Sequence, residues 1–155
     1  MTTESTSIED LLSYRLSTLA RLINRRSTRY LWEWFGLTLA EWRCLSVIAE
    51  LKQTTVREIS ERTNSDKAQV SRASASLTSK GLISREKNAE DARSGIYTMT
   101  QKGQRQYEEI MPIRIAENEH VLDALTPHEQ DQLVDYLNRI QDAVFSFQDE
   151  SRRPG

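Results

Sequence analysis

The sequence predicts a mostly α-helical chain with one small β-hairpin, and three observations support this prediction. The 155 residues include only five glycines and three prolines, a composition that favours helices. Apolar residues recur at helical spacing over most of the chain. Residues 83–87 and 95–99 instead form two short runs on either side of a charged turn, the second rich in β-branched and aromatic residues, which is typical of a hairpin.

The first and last predicted helices are long and amphipathic. The first runs from Ile8 into the thirties and ends at Gly36, and the last begins at Pro127 behind a capping box of Thr126 and Glu129. Their apolar stripes comprise Ile8, Leu12, Leu16, Leu19 and Ile23 in the first helix, and Leu133, Leu137, Ile140, Val144 and Phe147 in the last. These stripes are larger than one small lobe can cover, so we expect a second copy of the chain to cover them.

Shorter helices fill the middle of the chain. Capping boxes at 38–41 and 55–58 start the second and third helices. Ser65 is expected to cap the fourth helix, and Gly81 ends it with Leu82 folded back in a Schellman contact. After the hairpin, a fifth helix begins at Thr100 and continues through Pro112, which we expect to bend it rather than end it.

These elements divide the chain into four parts. Residues 1–36 form an N-terminal helix that belongs to a dimerisation region. Residues 37–103 form a lobe of short helices and a hairpin, residues 104–150 form C-terminal dimerisation helices, and residues 151–155 form a tail. Two short helices joined by a tight turn and followed by a hairpin have the outline of a winged helix-turn-helix.

Composition excludes several classes of protein. Cys44 is the single cysteine, so an internal disulfide is impossible. No apolar run reaches the roughly 18 residues of a membrane span, and the first seven residues have no signal-peptide character, so we expect a cytoplasmic protein. His120 and His128 lack partners at metal-ligand spacing, and neither a metal nor a cofactor is expected.

The charge is unevenly distributed and indicates a nucleic-acid partner. The whole chain has a net charge of −2, but residues 52–105 carry +5 and residues 107–155 carry −7. A basic centre between acidic or neutral segments is a better indication of nucleic-acid binding than the average charge of the chain.

The fourth helix has two chemically different sides. Val70, Ala73 and Leu77 cluster on one side and are predicted to be buried. The other side is small and polar, with one arginine, and lacks acidic and bulky side chains. Such a side can approach the major groove closely, where Gln69 can read adenine and Arg72 can read guanine. The residues predicted to contact DNA from this helix are Ser65, Lys67, Ala68, Gln69, Ser71, Arg72, Ala75, Ser76 and Ser79.

The hairpin tip supplies a second predicted contact. Arg93 is expected to enter the minor groove, while Lys87 and Ser94 hold phosphates. Asp91 is expected to pair with an arginine and fix the shape of the tip.

These motifs resemble those of the MarR family of transcriptional regulators. The resemblance rests on residues 56–60 (VREIS), 69–72 (QVSR), 80–83 (KGLI), 91–93 (DAR) and 98–103 (TMTQKG). Met99 stands where the family usually has leucine. The resemblance implies a homodimer that binds a pseudo-palindromic operator, acts as a repressor, and releases DNA when a small effector, often an aromatic acid or a phenol, binds. The alternative is a helical adaptor that keeps the fold without binding DNA.

Candidates for an effector site are aromatic and basic residues near the second helix. Trp34 and Trp42 offer apolar surface, and Arg15 and Arg43 can neutralise a carboxylate. The other interpretation is that these aromatic residues pack the core and the dimer interface. Cys44 is interpreted as a buried structural thiol rather than a redox switch. No arrangement typical of an enzyme active site is present, so we expect a protein that is not an enzyme.

Overall fold

The computed structural model describes residues 7–88 and 95–150, with side chains described as far as Phe147. After a short 3₁₀ helix at Ile8–Asp10, the helices and strands follow the predicted order. They are α1 (Leu12–Phe35), α2 (Leu39–Leu51), β1 (Gln53–Thr54), α3 (Val56–Thr63), α4 (Lys67–Ser79), β2 (Ile83–Lys87), β3 (Gly95–Met99), α5 (Gln101–Leu122) and α6 (Pro127–Glu150). The fold is therefore mostly α with a small β wing, as predicted.

The predicted capping boxes are confirmed. The Thr38 N–H donates to Glu41 Oε2 at 2.7 Å, and the Thr55 N–H donates to Glu58 Oε2 at 2.8 Å. Each glutamate satisfies a backbone N–H that a helix start would otherwise leave unpaired. Hydrogen bonds from the Thr55 N–H and Thr54 lower the pKa of Glu58 below its ordinary value.

Two predicted helix starts are wrong. The chain is extended at Leu11, so Ile8–Asp10 is a separate turn, because Ser7 and Asp10 form a capping box of their own. Ser65 does not cap α4, because its hydroxyl donates to the Thr63 carbonyl at 3.2 Å. The cap is Asp66, whose side chain accepts from the Gln69 N–H at 3.3 Å.

The sheet has three antiparallel strands in the order β1-β3-β2. In the predicted hairpin, Ile83 lies opposite Met99 and Lys87 lies opposite Gly95. β1 was not predicted, because two residues are too few to show an alternating pattern. It pairs with β3 through Thr54 and Tyr97, which attaches the end of α2 to the hairpin.

The junction between β3 and α5 requires a threonine and a glycine. The Thr100 hydroxyl donates to the Gly81 carbonyl at 2.7 Å, and the Thr100 N–H donates to the Leu82 carbonyl at 3.0 Å. A Cβ atom at Gly103 would lie 2.0 Å from the Leu82 oxygen. Only glycine therefore lets α5 begin this close to the segment that leaves α4.

One apolar core lies in the lobe and includes residues of the adjoining ends of α1 and α5. Its fully buried members come from α1, α2, α3, α4, β2 and the first half of α5, and they include Leu31, Leu37, Leu45, Ile48, Ile59, Leu77, Leu82, Ile83 and Ile110. The internal contacts of the chain define two units, one ending at Arg114 and one beginning at Ile115. Among the described residues, no helix is long and apolar enough to cross a membrane.

Candidate nucleic-acid interface

Helix α4 is held against the lobe by one apolar side. Val70, Ala73 and Leu77 are buried as predicted, and Ser74 is buried with them. At its end the Leu82 N–H donates to the Leu77 carbonyl at 3.0 Å and Gly81 has a φ of 69°, which is the predicted Schellman motif. Packing and the terminal turn thus hold the buried side of α4 against the lobe.

The opposite side of α4 is open to solvent. Ala68, Arg72 and Ala75 are exposed, and so are Lys67, Gln69, Ser71 and Ser79. Ser65, just before the helix, is half-buried. The side that must enter a groove in the predicted interface is therefore not covered by the parts of this chain that the structure describes.

Ser76 is the one predicted contact on α4 that faces another partner. It is half-buried, and its side chain is among the groups that lower the pKa of Glu41 on α2. Helical geometry places Ser76 at the edge of the exposed side, and the first turn of α2, which contains Glu41, lies against that edge. Of the predicted wing contacts, Lys87 is exposed at the end of β2, and Arg93 and Ser94 lie outside the described residues, as does Asp91.

The cations of the helix-turn-helix differ in whether they have an acidic partner. Arg57 donates to Glu61 at 2.8 Å within α3, and Arg62 pairs with Glu50 of α2. Arg72 makes no hydrogen bond or ion pair with any described residue. An exposed guanidinium without an internal partner keeps all its donors available for a planar acceptor pair.

One chain does not bring the four predicted effector residues together. Arg15 and Trp34 are nineteen positions apart on α1, which is about 28 Å along a helix. Arg15 instead pairs with Asp10 at 3.3 Å. Trp42 is buried and stacks on Tyr107 with ring centroids 5.5 Å apart, so for Trp42 the packing interpretation holds within the chain. Arg43 is exposed beside a cavity of only about 10 Å³.

Trp34 borders a larger depression that the sequence did not indicate. The depression has a volume of about 340 Å³ and is lined by Trp34, Phe35, Lys102, Arg105, Gln106 and Glu109. The Trp34 side chain is 68% exposed. Gln106 donates to the Phe35 carbonyl at 2.8 Å and so fixes one wall. Contacts between residues 71 positions apart leave no local signal, so no sequence pattern groups these side chains.

Cys44 lies inside the lobe, as predicted. Only 2% of its surface is exposed. Burial raises the pKa of the Cys44 thiol to about 11, and the charge of Glu41 adds to this increase while Ser74 opposes it. The thiol is therefore protonated at neutral pH. Within residues 7–88 and 95–147, no group of three His, Cys, Asp or Glu side chains is placed to hold a metal ion.

Comparisons with known proteins agree with this geometry. The sequence model of the MarR family matches residues 35–94. A MarR/EmrR family transcriptional regulator from Acinetobacter sp. ADP1 is 28% identical, with a TM-score of 0.83 over 91% of this chain and 99% of that one. No curated protein matches the chain significantly in sequence.

Two further structures share the fold and carry ligand information of their own. MepR of S. aureus, solved in complex with DNA, has a TM-score of 0.77 and 21% identity over 89% of this chain and 99% of that one. BpsR of Bordetella bronchiseptica, whose DNA binding is regulated by 6-hydroxynicotinic acid, has a TM-score of 0.69 and 20% identity over 82% and 98%.

The matched segment contains the entire helix-turn-helix and reaches the hairpin, and the likeness to the Acinetobacter protein extends over most of both chains. The resemblance of the sequence motifs, the order of the elements and these comparisons lead to the same result. The chain is similar to the MarR family of winged helix-turn-helix transcriptional regulators, over residues 35–94 in sequence and over most of its length in fold.

Proposed function

We propose that this protein is a homodimeric repressor that reads a pseudo-palindromic operator with α4 and releases it when a small effector binds. The observation that carries the proposal is the open side of α4, where Ala68, Arg72 and Ala75 are exposed in a lobe of positive net charge. Small side chains permit close approach, and an arginine that has no partner among the described residues can bind guanine through two hydrogen bonds. Because the proposed ligand is chromosomal DNA, we expect the protein in the cytoplasm and without enzymatic activity.

The dimer is proposed from apolar surface that one chain leaves exposed. On α1, Leu19 is 52% exposed and Leu22 is 62% exposed, and on α6 Leu137 and Val144 are 42% and 50% exposed. Contiguous exposed apolar stripes of this kind mark interaction surfaces. A two-fold dimer brings two copies of α4 to successive major grooves, about 34–36 Å apart, which is why we propose a pseudo-palindromic operator.

The effector site is proposed at the depression beside Trp34. An exposed indole can stack on a planar ring, and Arg105 makes no hydrogen bond or ion pair with the residues described. An aromatic carboxylate would satisfy both groups. The regulation of BpsR by an aromatic acid supports this class of effector. A thermal-shift screen with aromatic acids, repeated with DNA and with a Trp34→Ala variant, tests the site.

Binding to DNA is tested by fluorescence anisotropy with the DNA upstream of the gene and with a random duplex, over a series of salt concentrations. A regulator of this kind prefers the upstream DNA by about three orders of magnitude or more, with affinity that falls steeply with salt. Equal binding to both duplexes would favour the adaptor alternative.

The role of Arg72 is tested in the same assay. Arg72→Ala is expected to lose about 1–3 kcal/mol of preference for the upstream DNA, the value of one two-hydrogen-bond base contact, while the dimer remains intact. Arg29→Ala is the control, because it removes an arginine that is exposed on α1 and pairs with Glu33. If both variants keep the preference of the unmodified protein, Arg72 does not read a base.

A further inference from the structure

A buried carboxylate joins the recognition helix to the helices beneath it. Glu41 is only 3% exposed, yet it accepts from Lys80 Nζ at 2.6 Å through Oε1 and from the Thr38 N–H at 2.7 Å through Oε2. Burial alone raises the pKa of Glu41, but hydrogen bonds from Lys80, Ser76 and Thr38 lower it below its ordinary value of 4.5. The carboxylate is therefore ionised at neutral pH.

Lys80 lies where the ends of four helices meet. It is the C-terminal cap of α4, and its ammonium also donates to the Gly36 carbonyl at the end of α1 at 2.7 Å. Glu41 is in the first turn of α2. Lys102, in the first turn of α5, donates to the Lys80 carbonyl at 2.7 Å. Cations at the C-terminal ends of α1 and α4 and an anion at the N-terminal end of α2 have the favourable signs for the helix dipoles.

The apolar contacts of α4 do not by themselves set how far the helix projects from the lobe or how it is rotated about its axis. Val70, Ala73 and Leu77 hold the helix against the lobe, but apolar contacts are not directional and tolerate small sliding and rotation. Charge-assisted hydrogen bonds fix distance and angle. The bonds that Lys80 makes to Glu41 and Gly36 lie at the end of α4, where they restrain how far the helix projects and how it is rotated about its axis.

We propose that Glu41 and Lys80 are positioning residues for DNA recognition, which set the register of the exposed side of α4 on the bases without touching the DNA. This inference rests on the proposed use of α4 as the recognition helix. It assigns Lys80 an internal role, whereas a lysine at the end of a recognition helix would otherwise be taken as a phosphate contact.

The test compares Glu41→Gln, Lys80→Met and the double variant by anisotropy, below the unfolding temperature of each. Glu41→Gln keeps the size of the side chain but removes the charge. We expect a loss of about tenfold or more in affinity for the upstream DNA, the equivalent of one hydrogen bond to a charged group. Affinity for random DNA and the salt slope are expected to stay unchanged, because no phosphate contact is removed.

The matched control is Glu50→Gln. Glu50 lies on the same helix and pairs with Arg62, but its side chain is 64% exposed, so the same change of charge is expected to leave the preference for upstream DNA intact. The double variant is expected to lose no more than Lys80→Met alone, because both substitutions break the same interaction.

Three results would overturn the inference. The first is a Glu41→Gln protein that prefers the upstream DNA as strongly as the unmodified protein, and the second is a double variant whose loss of affinity equals the sum of the two single losses. The third is a salt slope that falls by about one in Lys80→Met, as for a lost phosphate contact. If Glu41→Gln does not fold, Lys80→Met is measured alone, since it leaves the Thr38–Glu41 capping box in place. Its salt slope then distinguishes a positioning role from a phosphate contact. Failure of the unmodified protein to prefer the upstream DNA would instead refute the proposed function.

Discussion

The lobe and the two terminal helices use apolar residues in different ways. In the lobe, Leu45, Ile48 and Leu77 have no exposed surface, so the core is complete within one chain. In contrast, no residue of α6 with a described side chain is buried, and on α1 burial is confined to its second half. The same helical periodicity therefore has two meanings. It identifies a side to be buried, but not whether this chain or another copy covers it.

The largest effect is expected from charges on the apolar stripe of α6. The double substitution Leu133→Asp and Leu137→Asp is expected to produce a monomer, because two carboxylates cannot be buried in an apolar interface without partners. Affinity for the upstream DNA is then expected to fall by about two orders of magnitude, since one lobe reaches only half of a two-fold site. Sedimentation and anisotropy measure the two changes.

The control for this prediction is the double substitution Gln132→Asp and Asn138→Asp. It adds the same charge to α6 on either side of the stripe, and the dimer is expected to persist. A variant with aspartates at 133 and 137 that remains dimeric would mean that the stripe is not the interface.

The core of the lobe can be disrupted without reference to a second copy. Leu45→Ala is expected to lower the free energy of unfolding by about 2–5 kcal/mol, because it leaves a cavity in a closed core. Leu51→Ala on the same helix is the control, since Leu51 is 37% exposed and its loss should cost much less. Urea unfolding of both variants in the monomeric background gives the comparison; equal losses would show that the core is not closed in one chain.

The sequence predicted the contacts between residues that are close in the chain and missed the contacts between residues that are distant in the chain. Capping boxes and the Schellman turn join residues three to five positions apart, and all the predicted ones are present. The sequence indicated the exposed side of α4 for the same reason, because helical geometry is local. Ser76 was misplaced and Glu41 was not linked to Lys80, because these contacts depend on how α2 packs against α4. Glu41 and Lys80, for example, are 39 positions apart in the sequence.

A smaller effect is expected where α5 begins. In the middle of a helix, Gly→Ala usually adds about 0.5–1 kcal/mol of stability. At Gly103 the added Cβ would lie 2.0 Å from the Leu82 oxygen, so Gly103→Ala is expected to lower the free energy of unfolding by about 1–3 kcal/mol. Gln104→Ala, at the next and exposed position, is the control. A gain of stability at 103 would show that α5 can shift away from Leu82 at little cost.

Loss of the dimer is expected to have its smallest effect at Cys44, and this prediction tests the comparison most directly. With its pKa at about 11, the thiol contains about 100-fold less thiolate at pH 8 than a thiol at the ordinary 9.0, so it should react with a disulfide reagent at least that much more slowly than in urea. The variant with aspartates at 133 and 137 should show the same protection, because the dimer contributes nothing to the core around Cys44. Fast labelling of the monomer would mean that the lobe depends on the second copy to stay closed. In that case the division of apolar residues between a self-sufficient core and an interface would be wrong.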